Sequence, residues 1–585
     1  MVIKNYTVLS GIGSAVKKFV VFVKENPFLF ALILIAAILQ ILVIFPSGSS
    51  YCFNGHCGDY FWGVHEHDGI WHIAVAETAF RTFPPRNPIF TGSPLSGYNS
   101  LLDLILFLFS EVGISSFTMY FKILPVVWFI LFTWSAIALG KKISNKKIFL
   151  FLFLFLSYFG ASFSFIIPLI KTGTISGTSS LLAMQPILTL TNVQLAFSYI
   201  ILFLILTLLH EKRLTKKQMG MLCLYTFLQW GLKFYAGFIS TIIVCVVFLL
   251  RWMREKKLNY FIYLLSISLS SAVSLFINYN PFGQLKSGSA PFVFRPLALV
   301  WPLIEDPSMF YSYYWSNAKY TLLASSKISP RLILLMGILT LLYIVLTLGP
   351  RIIGLMSLIK KSLSRKRTDI DVGVLAGVCL SLIFPIFFVQ RGVWWNTVQF
   401  FFPIFLLLNI YTAELVLKIK NKTLSMVFIC ILIVISIPYT VDALKGYVTF
   451  PGVVNVSQSE KEALSFLRAL PDGVIYTPVY KPNSLLNQTG NIPLFNHVDS
   501  SYVSAYTGKQ TFYTNYVQLQ LLNVPYEERK KQIAQGECDL VKGIDYAYIN
   551  SSQVNDLFMK KCIFMNKDFE KKYSKEGISV YIKIK

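Results

Sequence analysis

The residues best suited to chemistry stand close together in one short stretch of the chain. This stretch holds four of the six histidines and four acidic residues, namely His56, Asp59, His65, Glu66, His67, Asp68, His72 and Glu77. A carboxylate can act as a general base or bind a divalent cation, and a neutral imidazole can do the same work. The cluster therefore predicts a site for proton transfer or cation binding.

Asp68 is the first candidate for the general base, and Glu77 is the second catalytic candidate. If residues 68–82 are helical, we expect Asp68, His72 and Glu77 to project from neighbouring faces, one turn or so apart. Asp68, His67 and His72 are also candidate metal ligands, although their spacing is specific for no particular metal. The alternative is a solvated interfacial helix with ordinary polar residues.

The composition indicates which elements must position this cluster. Of 585 residues, 55% are hydrophobic and 14% are charged, and the mean hydropathy is +0.60, whereas a soluble domain has about 25% charged residues. The apolar residues fall in runs close to the length of a membrane-spanning helix. We predict a polytopic α-helical protein with eleven spans, at 28–46, 122–140, 148–169, 187–208, 219–233, 235–250, 259–278, 331–349, 372–389, 398–416 and 423–440.

The stretch 219–250 allows two interpretations. It can form two short, tilted helices that turn near Lys233, or one bent helix. A single helix would place every later segment on the opposite side of the membrane. The distribution of charge favours two helices, because the basic loops then alternate with the others.

The net charge of +25 is concentrated in those loops, at 141–147, 211–218, 251–257, 351–367 and 418–422. This pattern predicts a cytoplasmic N-terminus and places the first loop, 47–121, on the other side. The C-terminal segment 445–585 has 17 basic and 13 acidic residues, so it lacks the charge excess of a nucleic-acid-binding domain. We therefore expect no nucleic-acid partner.

The remaining cysteine and secondary-structure patterns concern the segments predicted outside. Four of the eight cysteines fall as Cys52 with Cys57 and Cys538 with Cys562, which favours disulfides in an oxidising compartment over free thiols or a metal clip.

We expect a transmembrane module at 1–444 and a soluble extracytoplasmic α/β domain at 445–585. In that domain a capping box at Ser459 should open a helix through Leu470, with strands at 474–477, 546–549 and 578–584.

Several polar residues outside the histidine cluster are also candidates for substrate binding. The apolar helix 101–110 is too short to span a membrane and should turn Asp103 towards protein or water. Outer-side cations are Lys171, Lys233, Arg295 and Arg391. Arg391 stands beside Trp394-Trp395, which suits either a clamp for a lipid phosphate or an anchor in the membrane interface.

The order of these features is similar to that of a known family. A first span is followed by a loop with an acid-containing helix, a Pro-rich stretch at 83–99, a juxtamembrane helix ending in Ser110-Glu111-Val112-Gly113, and a span entered by a basic residue. This order resembles the GT-C membrane glycosyltransferases, and within them the family of dolichyl-phosphate-mannose–protein mannosyltransferases and the bacterial aminoarabinose transferase. In this chain His-Asp-Gly stands where Asp-Glu is common in that family.

The resemblance implies a catalytic aspartate at Asp68, a second acid at Glu77, and a polyprenyl-phosphate sugar as the donor. We accordingly predict transfer of a sugar on the outer face of the membrane. The substrate-binding candidates are His67, His72, Asp103, Lys233, Arg295 and Arg391, and a divalent cation is the candidate cofactor. The alternatives are a transporter or flippase of a lipid-linked saccharide and a non-enzymatic protein of envelope assembly.

Overall fold

The computed structural model describes residues 23–175, 181–211, 213–281, 291–324, 329–450, 454–479, 492–494 and 500–584. A helix lies at each of the eleven positions where a span is predicted. Among these described residues, seven helices are long and apolar enough to cross a membrane: Ser116–Ile143, Phe234–Glu255, Leu258–Tyr279, Pro330–Leu363, Asp369–Phe387, Trp394–Leu417 and Lys422–Val448. The other four are shorter: Pro27–Leu42, Lys147–Phe159, Val193–Leu209 and Lys216–Leu232. These are the features of a polytopic membrane protein.

The stretch around Lys233 forms two helices, as the charge pattern predicts. Lys233 has an extended backbone, with φ −159° and ψ 124°, and separates Lys216–Leu232 from Phe234–Glu255. The indole nitrogen of Trp230 donates a hydrogen bond of 3.0 Å to the Thr241 hydroxyl, so the two helices fold back on each other. The single bent helix is therefore excluded.

The predicted span at 148–169 is wrong in its second half. The helix ends at Phe159, and the chain continues through an irregular stretch to a short helix at Ile166–Thr172. In that stretch the backbone N–H of Phe163 donates to the carbonyl of Leu346. A neighbouring helix thus supplies the acceptor that the broken helix lacks, which allows irregular backbone among the spans.

Ion pairs join the loops that the charge pattern assigns to one side. Lys142 contacts Glu211 at 2.7 Å, and Arg254 contacts Asp369 at 2.7 Å. A third pair joins Lys361 to Glu414 at 3.2 Å. The basic loops therefore meet at one end of the helix bundle, as alternation of the spans requires.

Arg351 departs from this pattern. We predicted it within the basic loop 351–367, but it is buried at a break inside the helix Pro330–Leu363. Its Nε donates to the Asn409 side chain at 2.9 Å, and Asn409 lies midway along Phe401–Leu417. Its Nη1 donates to Gln185 Oε1 at 2.9 Å. Within the described part of the chain, neutral acceptors hold this charge and no acid pairs with it.

The first loop and the C-terminal segment together build the structure beyond the other end of the bundle. Their shared sheet has the order β1-β2-β5-β7, with strands β1 Ser49–Phe53, β2 His56–Phe61, β5 Val454–Ser457 and β7 Ile492–Pro493. Strand β2 pairs antiparallel with β5 from Gly58 opposite Ser457 to Phe61 opposite Val454. The two segments, almost 400 residues apart in the chain, therefore form one body.

The rest of the C-terminal segment is mixed α/β, as predicted. A second sheet has the order β6-β8-β10-β9, with strands β6 Ile475–Tyr476, β8 Tyr546–Asn550, β9 Phe569–Lys575 and β10 Ile578–Lys583. Its helices are Gln458–Ala469, Tyr502–Thr507, Tyr516–Leu521 and Glu527–Gln535. The first of these is capped by Ser457 with Glu460, so the predicted cap at Ser459 is two residues late.

The remaining outer elements are the first-loop helix Asp68–Thr78, the juxtamembrane helix Leu101–Glu111, a helix Tyr313–Ala324, and the paired strands β3 Phe292–Phe294 and β4 Phe388–Gln390. Both predicted disulfides, Cys52–Cys57 and Cys538–Cys562, are present. Asp103 on the juxtamembrane helix is fully buried and faces protein, one of the two expected outcomes.

Gly58 is the position where the shared sheet has least room for a side chain. A methyl group there would overlap the carbonyl oxygen of Val456 on the neighbouring strand. We expect Gly58→Ala to lower the free energy of unfolding by about 1–3 kcal/mol, because the two strands would have to separate. The measurement is the thermal unfolding midpoint in detergent.

Gly220→Ala is the matched control, since Gly220 is helical and a methyl group there meets open space. It should leave the midpoint unchanged or raise it slightly. A Gly58→Ala protein as stable as the wild type would show that this strand pair does not join the two segments tightly.

Candidate functional site

A cavity of about 620 Å³ lies where the first loop, the ends of several membrane helices and the C-terminal segment meet. Five of the residues singled out from the sequence line it: His67, Asp68, His72, Lys233 and Arg391. Three others, Glu77, Arg295 and Asp103, are not among its lining residues. The fold thus gathers candidates from three separate parts of the sequence into one space.

Asp68 is the first residue of the first-loop helix, and its side chain is 41% exposed. Every other residue of this helix is buried, so Asp68 is where the helix presents an ionisable group to the cavity. A negative charge at this end of a helix is stabilised by the unpaired backbone N–H groups and the helix dipole. His67 Nε2 lies 3.9 Å from the Asp68 carboxylate.

His72 lies one turn further along the helix, and its ring is hydrogen-bonded to Asp103 on the side away from the cavity. Its Nδ1 is 2.9 Å from Asp103 Oδ1, which also accepts a 2.8 Å hydrogen bond from Gln194 Nε2. The Tyr98 hydroxyl lies 3.1 Å from Nε2 of the same ring. Asp103 therefore fixes the orientation of His72 and does not itself face the cavity. Burial, with help from Asp103 and Asp68, raises the pKa of Tyr98 well above its usual range, so Tyr98 stays neutral.

The candidate metal ligands are not arranged as a ligand set. His72 is committed to Asp103 and Tyr98, whereas His67 lies beside Glu66 and Asp68. Across the described ranges, no group of three or more His, Cys, Asp or Glu side chains could hold a metal ion. Asp68, His67 and His72 therefore do not converge in this structure, because the helix turns His72 towards Asp103, and their role as metal ligands stays a prediction.

Two cations face the cavity from different depths. Lys233, at the turn between two helices, is buried, and its ammonium donates to Asn192 Oδ1 at 3.4 Å. Arg391 is exposed and lies beside Trp395, which also lines the cavity. Arg295 is exposed elsewhere, with its backbone N–H bonded to the carbonyl of Phe387.

Glu77 sits at the far end of the first-loop helix, away from Asp68. It is buried, and its carboxylate accepts a 2.5 Å hydrogen bond from the Ser116 hydroxyl and a 2.7 Å bond from Arg468. Arg468 belongs to the C-terminal segment, where it also donates to the carbonyl of Tyr506. The expectation that Asp68 and Glu77 project from neighbouring faces is wrong, because nine residues at about 100° each place them on opposite faces. Glu77 ties the helix to its surroundings.

The other two histidines of the cluster have separate surroundings. His65 is fully buried against the Ser47 hydroxyl, at 2.8 Å, and burial lowers its pKa to about 3. It is therefore neutral and part of the packing. His56 is exposed in strand β2, opposite Phe53. Of the four clustered histidines, His67 and His72 therefore line the cavity, whereas His56 and His65 do not.

Carboxamides are the part of the site that the sequence reasoning missed. Asn396 Nδ2 donates to Gln390 Oε1 at 2.6 Å and to the Tyr235 hydroxyl at 3.1 Å, and Gln399 donates to Asn396 Oδ1. The C-terminal segment adds lining residues between Asn515 and Asn523. The stretch Asn-Tyr-Val-Gln-Leu-Gln-Leu-Leu-Asn at 515–523 is the only sequence signal, and it is also typical of an ordinary surface helix.

No protein-family model matches this chain, and no curated protein matches it. Solved structures to which the chain is similar include the following three. An oligosaccharyltransferase from Archaeoglobus fulgidus in complex with Zn and sulfate gives a TM-score of 0.49 at 13% identity, covering 94% of this chain and 73% of that one. The oligosaccharyltransferase AglB from the same organism, in complex with an inhibitory peptide and a dolichol-phosphate, gives 0.46 at 12%, covering 92% and 71%. Apo ArnT from Cupriavidus metallidurans gives 0.34 at 10%, covering 95% and 98%.

The contact between Glu77 and Arg468 can be tested by a double-mutant cycle. Glu77→Gln and Arg468→Met should each lower the free energy of unfolding by about 1–3 kcal/mol, because each leaves a charged or polar group without its partner. The double variant should be little worse than either single variant, with a coupling of about 1–2 kcal/mol. Additive effects would show that the two side chains do not interact. Loss of activity without loss of stability in Glu77→Gln would instead assign Glu77 to catalysis.

Proposed function

We propose that this protein is a membrane glycosyltransferase of the GT-C type, which transfers a sugar from a polyprenyl-phosphate donor to an acceptor hydroxyl. The observation that carries this proposal is the cavity, in which one partly exposed carboxylate, Asp68, faces the same space as Lys233 and Arg391. A base and two cations are what the displacement of a lipid phosphate by a hydroxyl requires.

In the proposed reaction, Asp68 takes the proton of the acceptor hydroxyl as the hydroxyl oxygen attacks the anomeric carbon of the sugar. A new C–O bond to the acceptor forms, and the bond between the anomeric carbon and the phosphate oxygen breaks. The phosphate leaves with the bonding electron pair and remains on its lipid. The reaction thus needs no oxidant, reductant or second donor.

Lys233 and Arg391 are suited to receive the charge that develops on the leaving phosphate. Lys233 is buried, and a charge acts more strongly where water is excluded. Arg391 is exposed and can present its planar guanidinium to phosphate oxygens with two parallel hydrogen bonds. We assign Lys233 to the inner side of the phosphate and Arg391 to the outer side.

The apolar part of the cavity suits the isoprenoid chain of such a donor. Leu182, Met184 and Leu188 line it from one side, and Leu275 and Phe402 line it from helices that cross the bundle. A cavity lined by both apolar and polar side chains suits a ligand with an apolar chain and a polar head. The polar side chains would then hold the phosphate and sugar.

We also propose that the site faces the non-cytoplasmic side and that residues 445–585 lie there as a domain. The basic loops meet at the opposite end of the bundle, which suits a cytoplasmic location. Both disulfides lie in the segments around the cavity end, which suits an oxidising compartment. A divalent cation, if one is used, would bind with the substrate phosphate, as magnesium often does.

Arg351 is the one observation that favours transport, because a charge in the middle of a helix bundle often marks a substrate pathway. Its guanidinium, however, is bonded to Asn409, Gln185 and two backbone carbonyls and does not line the cavity. A reaction at the end of the helix bundle therefore explains more of the site's residues than transport of a substrate through the bundle does.

Asp68→Asn tests the proposed function. It should reduce the release of polyprenyl phosphate from a polyprenyl-phosphate sugar by about 100-fold or more, since the amide cannot accept the acceptor's proton. Donor binding should change by less than about threefold, because the cations remain. The assay uses membranes that contain the protein and its native acceptors.

Glu66→Gln is the matched control, because Glu66 lies two residues away and does not line the cavity. Its turnover should equal that of the wild type. Full turnover in Asp68→Asn would contradict the assignment of the base, and unaltered transport of the lipid-linked sugar in the absence of any transfer would favour a flippase.

A further inference from the structure

Carboxamides are the most numerous polar side chains that line the cavity. Nine asparagine and glutamine side chains line it, three of them within 390–399 and four within 515–523. Asp68 is the one carboxylate among the lining residues of the described chain. Carboxamides carry both donors and acceptors and no charge, so they are suited to recognise groups that also donate and accept.

The carboxamides of 390–399 form a hydrogen-bonded chain with open ends. Asn396 is satisfied by Gln390, Tyr235 and Gln399. Among the described residues, Gln399 Oε1 is left buried without a hydrogen-bond partner, and Gln390 Nε2 has only a 3.5 Å contact to the carbonyl of Leu521. This group of carboxamides therefore has one unpaired acceptor, Gln399 Oε1, and one weakly bonded donor, Gln390 Nε2.

The other wall of the cavity offers an unpaired donor. Asn99 follows Tyr98, is 6% exposed, and its Nδ2 is buried without a partner within the described structure. A buried polar atom left unpaired is unfavourable, so a ligand that pairs it binds more tightly. Asn99 and Gln399 both line the cavity.

The charges of the lining residues distinguish three kinds of sugar. All three kinds carry hydroxyl groups, which can both donate to and accept from carboxamides. The added charge separates them, because the lining residues of the described chain offer an ammonium group one carboxylate, Asp68, which is the proposed base. An amino sugar would also add a positive charge beside Lys233 and Arg391, and a uronic acid would compete with the phosphate for them.

The second group of carboxamides extends the same surface. The turn at Gly392 packs closely against Gln520. A methyl group added at Gly392 would lie only 3.0 Å from the Gln520 Cβ. Gln390 reaches the end of the same helix through the Leu521 carbonyl. The side chains of 390–399 and 515–523 are therefore continuous, and together they can contact several hydroxyls of one ring.

From this arrangement we infer that the donor sugar is an uncharged, polyhydroxylated sugar, recognised by the carboxamides of 390–399 and 515–523 together with Asn99. This inference rests on the proposed function and names its substrate class. The sugar's hydroxyls pair the open ends at Gln399 and Asn99, while Lys233 and Arg391 are kept for the phosphate.

The test is a binding competition that needs no acceptor. The purified protein in nanodiscs binds a fluorescent polyprenyl phosphate, which is displaced by three glycosides of the same lipid phosphate: a neutral hexose, a 2-amino-2-deoxyhexose and a hexuronic acid. The neutral hexose should bind about 10- to 100-fold more tightly than either charged sugar, since an ammonium group would lie near Lys233 and Arg391 and a carboxylate would compete with the phosphate for them.

Gln399→Glu should move the preference towards the amino sugar by about tenfold or more, because a carboxylate replaces a neutral acceptor. Gln229→Met is the control, since it removes a fully buried carboxamide that does not line the cavity, and it should keep the wild-type preference. Equal or tighter binding of either charged sugar by the wild type overturns this inference. Failure of polyprenyl phosphate itself to bind overturns the proposed function instead.

Discussion

The structure of the site depends on the joint between the first outer loop and the C-terminal segment. Strand β2 pairs with β5 in one sheet, and Glu77 of the first-loop helix is bonded to Arg468 across the same boundary. The helix that carries Asp68 is thus fixed from its far end by residues almost 400 positions later in the chain. Without that joint, a short helix at the edge of a membrane has little to hold its first residue over the cavity, because short isolated helices are marginal in water. The C-terminal segment therefore acts both as a wall of the cavity and as the support of the proposed base.

The buried polar contacts behind the cavity are the second constraint. His72, Asp103 and Gln194 form a connected set in a region with little water, where an unpaired polar group is costly. Such a set is stable only when its members hold one another in fixed positions. It lets the cavity wall carry an imidazole in a defined orientation, and it leaves Asp68 as the ionisable group of the helix that is free to meet a substrate.

Much of this arrangement can be predicted from the sequence, and the failures have physical reasons. The eleven apolar segments are found because a membrane span needs a long apolar run, and Lys233 is correctly placed at a turn because the basic loops must alternate. Asp68 and His72 line the cavity together because they are four residues apart on a helix. Glu77 was misjudged because nine residues at about 100° each bring a side chain to the opposite face. Arg351 was assigned to a loop because a cation after an apolar run usually marks the end of a span. Asn54-Gly55 is a strong hairpin signal and could have revealed strands β1 and β2. The pairing of β2 with β5 leaves no local signal.

The central claim is that Lys233 and Arg391 hold a lipid phosphate over Asp68. The most direct measurement is a cryo-electron microscopy structure of the Asp68→Asn protein with a bound polyprenyl phosphate. The account predicts phosphate density between the Lys233 ammonium and the Arg391 guanidinium, with the isoprenoid chain running along Leu182, Met184 and Leu188. A phosphate bound outside the cavity, for example against Arg295 or Arg351, would contradict it.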